Sequence, residues 1–253
     1  MFGLKSIPLI ALLFSSALAQ APKIRYMPFG DSITEIVCWR GLLWTQLQQA
    51  GFTNVDFVGS GTNQNPAGCP TKTYDKDNEG HSGFLAIDIA NKKQLVDWIK
   101  KNPADVITMH LGTNDIVQQS KKTADILTAF STLVQVMRDS NPSIKIIVAQ
   151  IIPCSIGSYA SQIAALNDAI PGWAASKNTT QSPIWVVDQN TGMSSTDLRD
   201  GVHPNQSGDT KMAARWYPAL VNALKLIEAN STSKREVESM PEQAATILED
   251  KKT

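Results

Sequence analysis

The sequence has few of the features that mark nucleic-acid-binding, membrane-spanning or metal-binding proteins. Basic and acidic residues number 23 each among 253, so the balanced charge does not favour a polyanionic partner and we expect no nucleic acid. No apolar run reaches the roughly 20 residues that a membrane-spanning helix needs, so we expect no membrane partner. Only three histidines and three cysteines occur, and they are dispersed, so we predict no metal site and no cofactor.

The first residues have the pattern of a secretory signal peptide. Lys5 precedes an apolar run over residues 7–14, and Ala17-Leu18-Ala19 supplies the small residues of a cleavage site. We therefore predict a signal peptide over residues 1–19 and a secreted, extracellular protein that begins at Gln20. The alternative is a membrane anchor, but the run is too short to span a bilayer. Three sequons are candidate glycosylation sites: Asn178, Asn205 and Asn230. Of these, Asn205 is expected to cap the last helix instead.

Secretion places the three cysteines in an oxidising compartment, where one disulfide is expected and one cysteine is left over. Three pairings are possible, and the sequence alone does not resolve them. We favour Cys38 with Cys69, because they follow the first and second predicted strands and such neighbouring strand ends usually meet. Cys154 is then the free thiol.

Apolar segments of strand type alternate with longer segments of helical spacing along most of the chain. The predicted strands are Ile24–Phe29, Val55–Val58, Asp105–Leu111, Ile144–Gln150 and Ile184–Val187. The predicted helices are Trp39–Gln49, Phe84–Lys101, Thr123–Arg138, Ser158–Ala175 and Asn205–Ile227. This alternation is typical of an α/β fold, here a three-layer α/β/α sandwich with a five-stranded parallel sheet in the flavodoxin-like order 2-1-3-4-5. One domain is expected over residues 20–229, followed by a polar, disordered tail over residues 230–253.

Polar clusters follow the predicted strands at the ends where parallel sheets bind ligands. Ser32 follows the first strand and begins a helix, where free N–H groups favour the developing negative charge of acyl transfer. The other clusters are Gly80–Gly83, Gly112–Asp115 and Asp200–Pro204. Taken alone, Asp31 and Ser32 would be interpreted as a helix cap. Because a cap needs no amide, glycine turn or histidine at the same edge, we favour a nucleophile.

Two other motifs are weak. Gly59–Gln64 begins like a dinucleotide-binding loop, but Gln64 stands in place of the third glycine and no helix follows. Asp75–Gly80 resembles the first half of a calcium-binding loop, but Ala86 stands where the closing glutamate belongs. We therefore expect ordinary turns to stabilise this second loop. His110 lies in a buried strand and is expected to be a core residue.

The blocks Gly30-Asp31-Ser32, Gly80, Gly112-Thr113-Asn114-Asp115 and Asp200-Gly201-Val202-His203 stand in the order found in the SGNH, or GDSL-like, hydrolases. The chain resembles this superfamily from Lys23 to about Leu226. Glu79-Gly80-His81-Ser82-Gly83 and the flanking residues of the other blocks resemble carbohydrate esterase family three, whose members are mainly acetyl xylan esterases. The resemblance implies the SGNH hydrolase fold and a serine esterase.

The catalytic roles follow from chemistry as well as from this resemblance. Asp200 and His203 are three residues apart, so the carboxylate can bind one imidazole nitrogen while the other faces Ser32. Ser32 is then the nucleophile and His203 the general base. The expected oxyanion-hole donors are the backbone N–H groups of Ser32 and Gly80 and the side-chain amide of Asn114. Asp31 and Asp115 are expected to bond nearby backbone groups.

The expected substrate is an acetylated polysaccharide or oligosaccharide, with acetylated xylan as the leading candidate, and the protein is expected to be a monomer. A polar rim without an apolar lid suits an acetyl group better than a long acyl chain. The predicted sugar-binding residues are Trp39, Arg40, Tyr74 and His81, although Trp39 can also be core and His81 can also make a structural hydrogen bond. The alternatives are a general short-chain or lipid esterase with the same triad, and a catalytically silent carbohydrate-binding relative.

Overall fold

The computed structural model describes residues 22–62 and 68–239. The predicted signal peptide lies outside these residues, as do residues 240–253.

Within the described residues, six parallel strands form one central sheet. The strands are β1 (Ile24–Gly30), β2 (Val55–Phe57), β3 (Glu79–Gly80), β4 (Val106–His110), β5 (Lys145–Gln150) and β6 (Ile184–Asp188). The strand order β2-β1-β4-β5-β6 confirms the order predicted for the five longer strands. The two-residue strand β3 was not predicted, and it pairs with the last two residues of β1. This pairing places Gly80 beside Gly30, at the carboxyl end of β1.

Helices cover both faces of the sheet. They are α1 (Ser32–Glu35), α2 (Trp39–Gln49), α3 (Ala86–Asn91), α4 (Gln94–Lys101), α5 (Thr113–Gln119), α6 (Thr123–Ser140), α7 (Ala160–Lys177) and α8 (Gln206–Ser239). Side chains of a strand point alternately to the two faces, so β1 contributes to two cores. Met27 and Phe29 pack in the core with α3, α4, α6 and α7, whereas Tyr26 packs in the core with α2 and α8. The predicted three-layer α/β/α sandwich is confirmed.

Two helical segments differ from the sequence-based expectation. The predicted helix over residues 84–101 is two helices, α3 and α4, separated at Lys93, whose φ of 53° lies in the left-handed region. Helical spacing of apolar residues continues through this break, so the spacing does not reveal it. Helix α8 reaches Ser239 and thus includes residues 230–239, which were assigned to a disordered tail. Lys and Glu, which suggested a solvated tail, are also good helix formers.

The disulfide prediction is confirmed: Cys38 is bonded to Cys69, and Cys154 is a buried free thiol. Cys38 directly precedes α2, and Cys69 lies in the connection between β2 and β3. The disulfide therefore ties this long connection to the helix that follows the Ser32 segment. In the part of the chain that the structure describes, no helix is long and apolar enough to cross a membrane.

Candidate active site

Ser32 lies at the tight junction between β1 and α1. A Cβ atom on Gly30 would lie 2.6 Å from the His110 carbonyl oxygen, so only glycine fits at the end of β1. The next residue, Asp31, caps α1 by accepting a hydrogen bond from the Ile33 N–H at 2.9 Å. Asp31 thus performs the capping role that was the alternative interpretation of Ser32, and the Ser32 hydroxyl bonds elsewhere.

The Ser32 hydroxyl belongs to a continuous chain of hydrogen bonds. Its Oγ is 2.8 Å from Nε2 of His203, and Nδ1 of His203 is 2.7 Å from Oδ2 of Asp200. The other carboxylate oxygen of Asp200 accepts the backbone N–H groups of Val202 at 3.0 Å and His203 at 2.8 Å. The three side chains expected to form a triad are therefore in direct contact.

The electrostatics of Asp200 favour the charged carboxylate. Burial by itself raises the pKa of Asp200, but the hydrogen bonds from His203 and Val202 outweigh this effect and lower the pKa to about 2. A permanently charged acceptor at Nδ1 of His203 holds the proton on that nitrogen. Nε2 is then the nitrogen that can accept the proton of the Ser32 hydroxyl.

The loop that carries Asp200 and His203 is fixed by backbone bonds. Gly201 has a φ of 85°, and its carbonyl oxygen accepts the N–H of Ser155 at 2.7 Å. The Arg199 N–H donates to the His203 carbonyl oxygen at 2.9 Å, which closes the turn. Directly after it, Asn205 accepts the N–H of Ser207 at 2.9 Å, as expected of a residue that caps α8. These bonds hold His203 at a defined position.

The three expected oxyanion-hole donors lie at the carboxyl end of β1. No acceptor for the Ser32 N–H occurs among the described residues. The Asn114 amide donates to the Phe84 carbonyl oxygen at 3.0 Å and lies 3.4 Å from Oδ2 of Asp31. The Gly80 N–H, like the Asn114 amide, already has an acceptor: it donates to Oδ1 of Asn78 at 3.0 Å. Gly80 can therefore serve an oxyanion only by sharing its proton with Asn78, an interaction that no sequence motif indicated.

Buried carboxylates hold the backbone around the site. Asp115 accepts the N–H groups of Ala86 at 2.8 Å and Ile87 at 3.0 Å, at the start of α3. Burial raises the pKa of Asp31 to about 7. The bonds of Asp31 and Asp115 to backbone agree with their expected structural roles.

Asp209 makes a similar link that the sequence did not reveal. It lies in α8, and its Oδ1 accepts the N–H groups of Cys38 and Trp39, each at 3.0 Å, at the start of α2. Burial raises the pKa of Asp209 to about 7. The partners are 170 or more positions apart in sequence, so no local pattern could have indicated this contact.

The structure contradicts three of the predicted sugar contacts. Trp39 is 1% exposed, and its indole N–H donates to the Ile33 carbonyl oxygen at 2.7 Å. Arg40 is fully buried and donates to three backbone carbonyl oxygens at 2.7 to 2.9 Å. Tyr74 is 8% exposed and packs against Gly41. These side chains support the backbone behind the site and leave almost no surface for a sugar.

His81 is the one predicted sugar contact that keeps an accessible surface, with 21% of its side chain exposed. Its ring lies 3.9 Å from that of Trp98, nearly parallel to it, and Nε2 is 2.7 Å from Oε1 of Glu79. Glu79 is fully buried and also accepts the N–H and the hydroxyl of Ser60. His81 therefore makes the structural contact that was its alternative role, and a contact with sugar stays a prediction.

His110 is the third histidine and is buried in the core, as expected. Its Nε2 accepts the N–H of Ile152 at 3.2 Å, and burial lowers its pKa to about 4, so the ring is neutral at physiological pH. In the segment that resembled a calcium loop, the Asp75 carboxylate accepts the N–H groups of Phe57 and Asp77. Over residues 22–62 and 68–239, no group of three or more His, Cys, Asp or Glu residues is placed to hold a metal ion.

Comparison with known proteins identifies the family to which this site belongs. The model of the GDSL-like lipase/acylhydrolase family matches residues 29–211, which include Ser32, Asp200 and His203. The chain belongs to this family. Members are carboxylic ester hydrolases, and the family match accounts for the order of the Ser32, Gly80, Asn114 and His203 blocks.

Within the GDSL-like family, the chain is similar to two esterases of known structure and to a multidomain esterase. A carbohydrate esterase family 3 structure from Talaromyces cellulolyticus is 39% identical, with a TM-score of 0.76, and the match covers 80% of this chain and 98% of that one. An acetyl esterase mutant with an acetate ion is 38% identical, with a TM-score of 0.77 and coverage of 81% and 99%. A multidomain esterase from Ruminococcus flavefaciens is 32% identical over 81% of this chain. The chain spans 29% of the length of that multidomain relative.

Proposed function

We propose that this GDSL-like protein is a secreted serine esterase that removes acetyl groups from plant cell-wall polysaccharide, with acetylated xylan as its main substrate. The observation that carries the proposal is the hydrogen-bonded chain from the Ser32 hydroxyl through His203 to Asp200. A catalytically silent relative would have no need of this geometry. Structures 38% and 39% identical to this chain are described as an acetyl esterase and as a carbohydrate esterase.

In the first half of the reaction, Ser32 attacks the carbonyl carbon of the acetyl ester while Nε2 of His203 takes the hydroxyl proton. The negative charge that develops on the carbonyl oxygen is stabilised by the N–H of Ser32 and the amide of Asn114, with Gly80 as a further donor. Asp200 stabilises the resulting imidazolium. His203 then gives the proton to the ester oxygen of the sugar, which leaves as a hydroxyl as its bond to the carbonyl carbon breaks.

In the second half, water replaces the sugar. Nε2 of His203 removes a proton from the water as it attacks the acetyl-enzyme at the same carbonyl carbon. The tetrahedral intermediate collapses, acetate leaves, and the proton returns to Oγ of Ser32. Each half uses one proton and one base, so the proton transfers need no group beyond the side chains of Ser32, His203 and Asp200.

The proposal also specifies which ester is hydrolysed, namely an acetyl group carried by a sugar. Three aromatic or basic side chains that were expected at the rim are buried, so sugar recognition rests on other groups, of which His81 is the partly exposed candidate. An esterase for short acyl chains or for lipids is the second candidate, because the triad does not discriminate between acyl groups.

A substrate comparison with three enzyme forms tests the function. Acetate release from acetylated xylan is measured beside hydrolysis of acetyl, butyryl and octanoyl nitrophenyl esters, using wild type, Ser32→Ala and Ser161→Ala. Ser161 is an exposed serine in α7, so its replacement controls for the loss of a hydroxyl. We expect activity on xylan and the acetyl ester to be lost only in Ser32→Ala. Octanoyl preference would contradict the carbohydrate assignment, and residual turnover in Ser32→Ala would contradict the nucleophile.

Secretion has its own test. Expression of the complete chain in a secreting host should release protein whose first residue is Gln20. Retention of the intact amino terminus inside the cell would contradict the signal peptide. Glycan mapping on the same material examines the sequons, and Asn205 should remain unmodified because its side chain is held by backbone groups on both sides.

A further inference from the structure

We propose that Asn78 is a positioning residue that fixes the Gly80 peptide in the orientation that the oxyanion hole requires. The inference rests on the proposed esterase function, since it assigns a role in the same site. Asn78 is fully buried, so it acts through Gly80 and does not touch the substrate.

The hydrogen bonds of Asn78 hold its side-chain amide in place. Its Nδ2 donates to the carbonyl oxygens of Gly61 at 3.1 Å and Lys76 at 3.0 Å. The backbone N–H and carbonyl of Asn78 also pair with Gly61, each at 2.9 Å. With both amide hydrogens bonded, the plane of the side chain cannot rotate, and Oδ1 has one fixed position. That oxygen accepts the Gly80 N–H at 3.0 Å.

Gly80 is enclosed between Asn78 and α1. A Cβ atom on Gly80 would lie 2.6 Å from the backbone nitrogen of Glu35 and 2.9 Å from Oδ1 of Asn78. On the other side, the N–H of His81 donates to the Gly30 carbonyl oxygen at 3.0 Å and secures the strand pairing. The Gly80–His81 peptide is therefore held by the end of β1, and the Glu79–Gly80 peptide, which carries the Gly80 N–H, is held by Asn78.

Electrostatic catalysis depends on donors that are already oriented when the charge develops. Loss of the Asn78 amide removes the hydrogen bond that orients the Gly80 N–H and leaves this N–H free to turn away. The substrate would still bind, because the lost interaction is made only in the transition state. We therefore expect the change in kcat, with little change in KM.

The test uses the full chain with Asn78→Ala and Asn78→Ser, assayed on nitrophenyl acetate. We expect kcat to fall about 10-fold in Asn78→Ala, with KM within about twofold, because misdirecting a donor costs less than removing one. Asn78→Ser should retain more of kcat, since a serine hydroxyl can accept an N–H two residues along the chain, more weakly than asparagine does.

A matched control separates positioning from general stability. Asn141 forms the same local turn at the opposite edge of the sheet: its Oδ1 accepts the Ser143 N–H at 3.0 Å, and its Nδ2 donates to the Ala104 carbonyl oxygen at 3.1 Å. Asn141→Ala should lower the melting temperature while kcat stays at the wild-type value. Circular dichroism establishes that each variant is folded before it is assayed.

A double-mutant cycle with Asn114→Ala measures whether the two substitutions affect kcat independently, which distinguishes a positioning role of Asn78 from a purely structural one. If Asn78 and Asn114 serve one oxyanion hole, the combined loss in kcat is smaller than the product of the two single losses. Unchanged kcat in both Asn78 variants, or fully multiplicative losses, would overturn the role of Asn78. If Ser32→Ala kept its activity, the proposed function itself would fail, and this outcome is distinct from the others.

Discussion

Replacement of Asp200 by asparagine tests the proposed triad most directly. The side-chain oxygen of asparagine can still accept the backbone N–H groups of Val202 and His203, so the turn is kept. The amide nitrogen, however, would face Nδ1 of His203, where the carboxylate lies 2.7 Å away in the wild type. An N–H donor at this position favours the tautomer with its proton on Nε2. That nitrogen can then no longer accept the Ser32 proton.

The magnitude follows from the chemistry and from the exposure of Asp200. Enforcing the wrong tautomer in a buried triad lowers kcat by about 10⁴-fold, or about 5.5 kcal/mol. The Asp200 side chain is 49% exposed, so water screens the carboxylate and can replace part of its effect. We therefore expect a loss of about 10³-fold in kcat for Asp200→Asn, which is about 4 kcal/mol of transition-state stabilisation. Asp200→Ala should lose less, because water can occupy the space and accept from Nδ1.

The assay measures kcat and KM for nitrophenyl acetate near neutral pH, with Asp188→Asn as the control. Asp188 lies at the end of β6 and accepts the N–H groups of Asn190 and Thr191, so it makes the same kind of turn without a histidine. The control should keep wild-type kcat. An Asp200→Asn enzyme within about threefold of wild type would refute the reasoning, because tautomer control would then contribute nothing.

Three other predictions concern the oxyanion hole, the buried carboxylates and the disulfide. Asn114→Ala should lower kcat about 100-fold with KM nearly unchanged, as measured on the same ester, because one donor to the oxyanion is lost. Asp209 keeps its proton in the folded protein up to about pH 7, whereas an unfolded aspartate loses it near pH 4, so the free energy of unfolding falls as pH rises through this window. In Asp209→Asn, the free energy of unfolding measured with urea should fall less between pH 5 and pH 8 than it does in the wild type, by about 2 to 3 kcal/mol. Replacing Cys38 and Cys69 together by serine releases a loop of 31 residues and should lower the free energy of unfolding by about 3 to 4 kcal/mol, measured by urea titration.

Each of these predictions has a result that contradicts it. Wild-type turnover in Asn114→Ala would remove this amide from the oxyanion hole. If the free energy of unfolding falls between pH 5 and pH 8 by as much in Asp209→Asn as in the wild type, another group causes the pH dependence. Asp31 is then the candidate, because its pKa is raised in the same direction. A double serine variant as stable as wild type would show that the connection between β2 and β3 is ordered without its covalent bond.

The sheet order and the contact of Ser32, His203 and Asp200 were predictable because both depend on features that can be recognised along the chain. Apolar strands alternate with helices, and the polar side chains of Ser32 and His203 follow strands at the edge where ligands bind. The spacing of Asp200 and His203 also constrains their geometry, since three residues of a tight turn bring a carboxylate to an imidazole. Local sequence therefore determined these positions.

The directions in which individual side chains point could not be predicted in the same way. Trp39 and Arg40 have residue types that suit sugar binding, but their direction depends on how α2 packs against α1 and α8. No glycine or proline stands at the break between α3 and α4 at Lys93, so no residue type indicates that the helix is interrupted there. The contact of Asp209 with the start of α2 joins distant parts of the chain. Such features depend on tertiary packing, which local spacing does not encode.

The pairing of Asn78 with Gly61 also has a consequence for how this enzyme can diversify. The two residues close the base of the connection between β2 and β3, with an N–H donated in each direction at 2.9 Å. Cys69 anchors the same connection a second time, through Cys38. Changes of length or composition between Gly61 and Cys69 leave in place both this pairing and the hydrogen bond from Asn78 to the Lys76 carbonyl oxygen. Natural variation or directed evolution can therefore alter this segment while the hydrogen bond between Asn78 and Gly80 is inherited unchanged.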